Sequence, residues 1–307
     1  MDFMKKTLIA GLVFLSVSNC ASAQFYLNLG AGYALPAAGQ TMDAEGNVYN
    51  GSINNTVNYN MKSASFAAGL WGNVALGYMG GANIGVQLDA GFGLATKKYT
   101  FNNNNIVVSS GPVYGNESIV QQAKGPFIVT PSFVIQSGGD PWNFYGRLGI
   151  ALPLDTKINQ DQIISTLPGQ GAVVIQDVTF QIKNSFSLGY TAAVGVQYKV
   201  NDRLKIFGEC SILSMSQYIK ESDFKNISVS VGGVGYTTTY QGPTVTKYSK
   251  NATYDTVNYA QLPSYSQPFS NVAFAFGVSV RLSEQKQHHS KHRIKSDNAR
   301  LREERDY

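Results

Sequence analysis

The side chains best suited to catalysis or metal binding are concentrated at one end of the sequence. All three histidines, His288, His289 and His292, lie in a segment rich in Lys, Arg, Gln and Ser. The residues before them therefore contain no histidine to act as a base for a serine or a water. The His-His-x-x-His spacing could bind a metal, but no cysteine is nearby and no fixed scaffold is predicted. We expect no catalytic, metal or cofactor site, and we interpret this segment as a solvated tail.

Five charged residues form a second candidate site, because they share one face of the strands predicted below. They are Asp89, Arg147, Lys205, Glu209 and Arg281. One interpretation is an ion path or gate. The alternative is a paired polar core, since a barrel of about eight strands has room for side chains and little else. Unpaired buried charges are costly, so we favour pairing and expect Glu209 to contact Arg147 or Lys205.

A long connection late in the chain is rich in tyrosine. Its tyrosines are Tyr236, Tyr240, Tyr248, Tyr254, Tyr259 and Tyr265. Tyrosine offers contact area at low entropic cost, so these residues could form a recognition surface for a ligand. They could equally be strand-pairing residues of a protruding hairpin. The sequence does not choose between the two interpretations.

The stretch from 271 to 282 indicates which elements must position these residues. Its even positions carry Val272, Phe274, Phe276, Val278, Val280 and Leu282, and its odd positions after Asn271 carry Ala273, Ala275, Gly277, Ser279 and Arg281. Strict alternation predicts a strand with one apolar face and one small or polar face. In a soluble sandwich the second face would carry Lys, Glu and Thr. A face of mostly small residues with a single Arg is typical of a membrane-spanning β-barrel.

The same alternation recurs and predicts about eight antiparallel strands. They span residues 25–35, 63–78, 83–96, 127–136, 142–154, 186–200, 204–212 and 271–282. Long and short connections alternate, beginning with a long one. This pattern predicts short periplasmic turns, long extracellular loops and both chain ends in the periplasm. A larger barrel of ten or twelve strands is the alternative.

Aromatic residues and prolines add local expectations. Phe25, Tyr78, Trp142 and Tyr198 lie near the periplasmic strand ends on the outward parity, and they predict an interfacial girdle. Pro131 cannot donate a hydrogen bond, so it predicts a bulge or bend within its strand.

Two segments near the extracellular strand ends also give testable expectations. Phe66 and Ala68 fall on the outward parity of the second strand. Residues 172–183 could be taken for a ninth membrane strand, but their apolar even positions match the outward parity of the strand that follows. We therefore expect one long strand that continues above the membrane.

The first residues and the composition indicate export. Lys5 and Lys6 precede an apolar run, and Ala21-Ser22-Ala23 is a small-residue cleavage site, so residues 1–23 predict a signal peptide. Cys20 raises a lipoprotein alternative, but the bulky Asn19 before it argues against lipidation. Charged residues make up 14% of the chain, against about 25% in typical soluble domains. The formal charge of +5 is diffuse, so no nucleic-acid partner is expected.

The signal peptide, the alternating connections and the aromatic-rich last strand resemble small OmpA/OmpX-type outer-membrane barrels, which are porin-like in architecture. The resemblance covers residues 24–282 and implies an outer-membrane location, with membrane lipid and lipopolysaccharide as partners. It also implies a structural role with loops that bind a ligand or partner; the alternative is a narrow channel for small solutes. Relatives of this kind include adhesins, channels and a few lipid-modifying enzymes.

Residues 283–307 are expected to form a charged periplasmic tail, either disordered or a short helix. The tail is too short for the peptidoglycan-binding domain of larger relatives. Oligomeric state is open.

Overall fold

The architecture was determined from a computed structural model, which describes residues 24–37, 41–47, 59–81, 83–107, 114–166, 171–236, 238, 244–250 and 261–282. The predicted signal peptide and tail lie outside these residues. In chain order the strands are β1 (Gln24–Pro36), β2 (Thr41–Asn47), β3 (Tyr59–Ser63), β4 (Gly69–Met79), β5 (Ile84–Thr96), β6 (Tyr99–Val107), β7 (Tyr114–Gln136), β8 (Trp142–Thr166), β9 (Val174–Asn184), β10 (Gly189–Lys199), β11 (Leu204–Ser214), β12 (Ser216–Val231), β13 (Val234–Tyr236), β14 (Val245–Ser249), β15 (Gln261–Pro263), β16 (Ser266–Pro268) and β17 (Asn271–Arg281).

Eight of these strands close into an antiparallel barrel. Each strand in the order β1, β4, β5, β7, β8, β10, β11, β17 pairs with the next, and β17 pairs back with β1. The short connections β4–β5, β7–β8 and β10–β11 lie at the same end as the start of β1 and the end of β17. We call this the turn end. The predicted all-β barrel of eight strands, with alternating short and long connections, is confirmed.

The outer surface of the barrel wall is apolar. Large side chains such as Leu148 and Phe276 are 65% and 72% exposed. A water-soluble protein rarely exposes so continuous an apolar surface, whereas the wall of a membrane barrel faces lipid. Near the turn end, the ring centroids of Phe25 and Tyr78 lie 5.0 Å apart, and those of Trp142 and Tyr198 lie 4.8 Å apart. The barrel therefore spans a membrane, and aromatic pairs mark its turn end.

The opposite end carries a second structure, which we call the extension. It contains β2, β3, β6, β9 and β12 to β16, together with the distal parts of β7 and β8. The β6, β7, β8, β9 and β12 strands are paired in that order, and β13, β14 and β16 each pair with β12. The long loops of the predicted barrel are thus largely β-structure in the described residues.

The strands switch faces where the barrel becomes the extension. In the barrel part of β8 the odd positions, such as Arg147 and Ala151, face inward and are buried. Beyond a register shift in the β7–β8 pairing, the even positions Thr156 and Ile158 are buried instead. A β-bulge causes such a switch because the inserted residue breaks the two-residue alternation. Lipid surrounds the barrel and water surrounds the extension, so apolar residues must face outward in one and inward in the other.

The same switch corrects the expectation of one long strand from residue 172 onward. Strand β9 ends at Asn184 and β10 begins at Gly189, so the two are separate. Val178 and Ile182, expected to face outward, are buried in the extension. The prediction failed because it carried the lipid-facing parity of β10 into a segment that is surrounded by water.

Two further expectations are revised. The β7–β8 pairing is interrupted at Thr130 and Pro131, as the missing donor of proline predicts, but it resumes in the same register. Pro131 therefore marks no bulge, and the register shifts lie between Lys124 and Ile128. Phe66 does not face outward on a strand. Strand β4 begins only at Gly69, and Phe66 in the preceding connection is fully buried.

Candidate functional site: the barrel lumen

Three of the five predicted lumen charges meet across the barrel. Arg147 of β8 contacts Asp89 of β5 through Nη1 and Oδ2 at 3.0 Å. It also contacts Glu209 of β11 twice, through Nη2 and Oε1 at 2.5 Å and through Nε and Oε2 at 3.0 Å. All three side chains are buried. The bidentate contact is the strong form of an arginine–carboxylate pair. One guanidinium therefore forms ion pairs with two carboxylates on different sides of the barrel.

Neutral side chains extend this cluster into a layer across the lumen. Tyr145 donates from its hydroxyl to Glu209 Oε2 at 2.9 Å. On the other side, Gln87 donates to Asp89 Oδ2 at 3.2 Å and accepts from the Tyr26 hydroxyl at 3.0 Å. With Arg147, these hydrogen bonds connect strands β1, β5, β8 and β11. We call this set of residues, Tyr26, Gln87, Asp89, Tyr145, Arg147 and Glu209, the polar layer.

Glycines make room for the two tyrosine rings. Tyr26 is opposite Gly77 on β4, and Tyr145 is opposite Gly195 on β10. A Cβ atom at Gly77 would overlap the Tyr26 ring, and one at Gly195 would overlap the Tyr145 ring. The rings thus fill space that only glycine leaves free. Tyr26 was not among the predicted lumen residues, because its pairing with Gly77 is visible only once the strand register is known.

Lys205 and Arg281 do not join the polar layer. They line a cavity of about 40 Å³ nearer the turn end, together with Gln136 and Gln197. Lys205 Nζ donates to Gln197 Oε1 at 3.3 Å. Glu209 therefore pairs with Arg147 and not with Lys205, and the five predicted charges separate into two groups at different depths.

The lumen is also closed where it meets the extension. A buried apolar cluster there includes Phe66, Ile158, Ile182, Met215, Ile219 and Phe269, which we call the apolar plug. Backbone hydrogen bonds hold its connecting segments together: Phe66 N donates to Pro268 O at 2.9 Å, and Phe269 N donates to Met215 O at 3.1 Å. The plug was not predicted from the sequence, because its residues come from distant segments without a shared periodicity.

A cavity of about 140 Å³ separates the polar layer from the plug region. Arg147, Asp89 and Glu209 line it on one side, and Trp71 and Leu213, which pack against the plug, line it on the other. Much of the remaining wall consists of glycine and alanine. The lumen thus holds a small cavity on each side of the polar layer, and the apolar plug lies at its far end.

The tyrosine-rich connection is described only in part. Tyr236 lies on β13 and is exposed, and Tyr248 on β14 packs against the apolar plug. The ring centroids of Tyr248 and Tyr265 lie 6.1 Å apart, nearly perpendicular. Tyr236 and Tyr248 are therefore strand residues. The side chains of Tyr236 and Tyr265 are exposed. Tyr240, Tyr254 and Tyr259 lie outside the described residues.

Within the ranges given above, no group of three or more His, Cys, Asp or Glu side chains is placed to hold a metal ion. None of the described segments forms a helix with the length and hydropathy that a membrane-spanning helix requires.

Comparisons with known proteins give structural likenesses only. No protein-family model matches this chain, and no curated protein matches it at a significant level. Solved structures similar to it include a major outer membrane protein of Thermus thermophilus (13% identity, 85% of this chain and 99% of that chain, TM-score 0.37). Others are OprG of Pseudomonas aeruginosa (10% identity, 86% and 97%, TM-score 0.39) and CarO of Acinetobacter baumannii (11% identity, 82% and 96%, TM-score 0.30). The resemblance to OmpA/OmpX-type barrels stays one of architecture.

Proposed function

We propose that this protein is a non-conducting, non-enzymatic barrel of the bacterial outer membrane that supports a rigid β-structured extension outside the cell. Its role is then structural, and partners or ligands contact the extension, including the exposed rings of Tyr236 and Tyr265. The observation that carries this proposal is the double closure of the lumen. A buried charge layer crosses the barrel, and an apolar plug covers its far end.

The two closures differ in how they oppose the passage of solutes. The polar layer is held by charge-assisted hydrogen bonds between buried groups, and opening it would strand charges in a low dielectric. The plug opposes ions and polar solutes because its side chains offer them no hydrogen bonds. A solute would have to disrupt both. This favours a barrier built for stability over a gated path.

A narrow channel is the second candidate, and one observation favours it. Cavities of about 40 Å³ and about 140 Å³ lie on the two sides of the polar layer. Each is large enough for water, so a rearrangement of the layer alone would join them. In that case the polar layer would act as a gate, and conduction would also need an opening of the apolar plug.

Planar-bilayer conductance distinguishes the two candidates. We expect no current steps above background from the unmodified protein. The triple variant Asp89→Asn, Arg147→Gly, Glu209→Gln removes the charges of the polar layer, and Phe66→Ala with Phe269→Ala weakens the plug. We expect steps only when both sets of substitutions are combined, and that combined variant also shows that the assay detects an open lumen. Steps from the unmodified protein would establish the narrow channel instead.

A further inference from the structure

Lysines stand side by side where the barrel meets the extension. Lys124 of β7 is directly opposite Lys157 of β8, and Lys157 is directly opposite Lys183 of β9. Lys183 is in turn opposite Glu221 of β12, the residue after Lys220. Like charges directly opposite on neighbouring strands are unfavourable. Four lysines at one level of four adjacent strands therefore need anions nearby, and Asp155, Glu221 and Asp223 supply them for Lys157 and Lys183 only. We call Lys124, Lys157, Lys183 and Lys220 the lysine belt.

The belt faces outward at the level of the face switch. Lys124 and Lys157 lie next to the register shifts of β7 and β8, and Lys220 lies at a register shift between Ile219 and Glu221. Their neighbours Ala123, Ile158 and Ile219 are buried toward the inside, so the lysine side chains point away from the barrel axis. Because the switch marks where lipid gives way to water, the belt lies at the depth of the lipid head groups.

An open cavity lies within the belt. It has a volume of about 250 Å³ and is lined by Lys157, Lys183 and Lys220 together with Leu154 and Phe186. The carboxylates of Asp155 and Glu221 also line it, which leaves one more cation than anions in the lining. Leu154 and Phe186 are 61% and 66% exposed, so they extend the lipid-facing surface up to the lysines. The cavity therefore presents ammonium groups directly above an apolar surface. An anionic lipid matches both parts, because its charged head group can contact the ammonium groups while its acyl chains contact the apolar surface.

Carboxylates orient the belt but do not use all of its donors. Lys157 Nζ contacts Asp155 Oδ2 at 3.1 Å, and Lys183 Nζ contacts Glu221 Oε1 at 2.6 Å and Asp223 Oδ2 at 2.8 Å. Among the described residues no carboxylate lies within ion-pair distance of Lys220. Each ammonium has three donors. Lys220 and Lys157 thus have hydrogen-bond donors left for an anion in the cavity.

We propose that the lysine belt binds the phosphate groups of lipopolysaccharide in the outer leaflet, with acyl chains against Leu154 and Phe186. The proposal rests on the proposed placement of the extension outside the outer membrane. Phosphate oxygens would separate the opposed lysines and accept their free donors. The lipid would also cover the gap between β9 and β10, since Ser185 and Phe186 line the same cavity.

The test measures binding of detergent-solubilised lipopolysaccharide to the folded full chain in a maltoside detergent, as an apparent Kd from thermophoresis. The belt variant is Lys124→Gln, Lys157→Gln, Lys220→Gln, which leaves the ion pairs of Lys183 intact. The matched control is Lys199→Gln, Arg203→Gln, Lys225→Gln, which removes the same charge from the turn end and from β12 beyond the belt. At about 1 kcal/mol per lysine near an anionic surface, we expect the belt variant to lose affinity on the order of 100-fold. The control should change it less than about threefold.

Two probes test the chemistry in the unmodified protein, independently of how well the variants fold. Lipopolysaccharide with its phosphates removed should bind as weakly as the belt variant binds the intact lipid. Inorganic phosphate at millimolar concentration should not displace the lipid, because it lacks the acyl chains. Equal losses in belt and control variants, equal binding of the dephosphorylated lipid, or full displacement by phosphate would each overturn the proposal. A barrel that conducts yet shows the expected lipid binding would overturn only the proposed function.

Discussion

Arg147 is the residue on which the lumen depends most, because it balances two carboxylates. Asp89 and Glu209 both contact its guanidinium, and all three are buried. If either carboxylate is removed, Arg147 keeps an ion pair with the other one. Loss of Arg147 leaves two buried carboxylates next to each other without a cation.

The three residues should therefore differ in how much stability they contribute. We expect Arg147→Met to destabilise the barrel by about 3–5 kcal/mol, because it strands buried charge. Glu209→Gln should cost less, about 1–3 kcal/mol, since Arg147 retains Asp89. The triple variant Asp89→Asn, Arg147→Met, Glu209→Gln should recover much of the loss. Urea unfolding of the folded protein in detergent measures all three, and a Glu209→Gln cost equal to that of Arg147→Met would show that Asp89 does not compensate.

Gly125 contributes to stability through its backbone conformation and not through side-chain contacts. It lies at the β7 bulge with φ of 51°, and a Cβ atom there would meet nothing within 4 Å. Gly125→Val should therefore destabilise by about 1–2 kcal/mol through the left-handed conformation alone. Gly81, which also has open space around it but no left-handed φ, is the matched control. Equal unfolding free energies for Gly81→Val and Gly125→Val would contradict the explanation.

At the scale of the strand, the alternation of β17 assigns one face to lipid and one to the lumen. Phe276 is 72% exposed, while Ala275 lines the lumen cavity and is opposite Glu209 of β11. Phe276→Arg should cost about 2–4 kcal/mol in a bilayer if the residue lies near the midplane. Ala275→Lys places a cation near Glu209 and should cost much less. Folding yield into lipid vesicles measures the difference, and equal yields would show that the two faces are wrongly assigned.

The pairing of β9 with β12 should respond to acid. The hydrogen bond from Lys183 lowers the pKa of Asp223 below its ordinary value, against a smaller opposing effect of burial. A group with a lowered folded-state pKa stabilises above its unfolded pKa, about 4 for Asp, and loses that contribution as pH falls below it. Amide exchange protection in β9 and β12 should therefore decrease between about pH 5 and pH 3, and Asp223→Asn should reduce this dependence. An unchanged profile in the variant would place the acid sensitivity elsewhere.

At the scale of the whole molecule, one chain forms two structures with opposite surfaces. The barrel is apolar outside and polar inside, whereas the extension buries apolar residues such as Ile158 and Ile182 and exposes polar ones. The buried face switches at one level within β7 and within β8, and between β9 and β10, which both pair with β8. That shared level marks one boundary of the membrane, and it is the outer boundary if the extension lies outside the cell as proposed.

The closed barrel satisfies its backbone hydrogen bonds between strands, so it should resist detergent. An unheated sample in sodium dodecyl sulfate should stay folded and migrate differently from a boiled sample on a gel. Identical mobility before and after boiling would contradict a closed barrel. The Arg147→Met variant should lose the folded band at a lower temperature than the unmodified protein, which relates this measurement to the lumen.

The sequence by itself determined the barrel. Side-chain alternation has a period of two residues and is local, so β17 and the short turns were predictable without any contact between strands. The inward position of Arg147 and Glu209 followed from the same parity.

Only the tertiary structure decided the rest. That Arg147 is shared by Asp89 and Glu209, and that Tyr26 fills the space at Gly77, depends on pairing between distant strands. The apolar plug and the reversed faces of β9 depend on what surrounds each segment, lipid or water. A parity pattern reads the same in both surroundings, so the sequence placed Phe66 and Ile182 on the outside and the structure buried them.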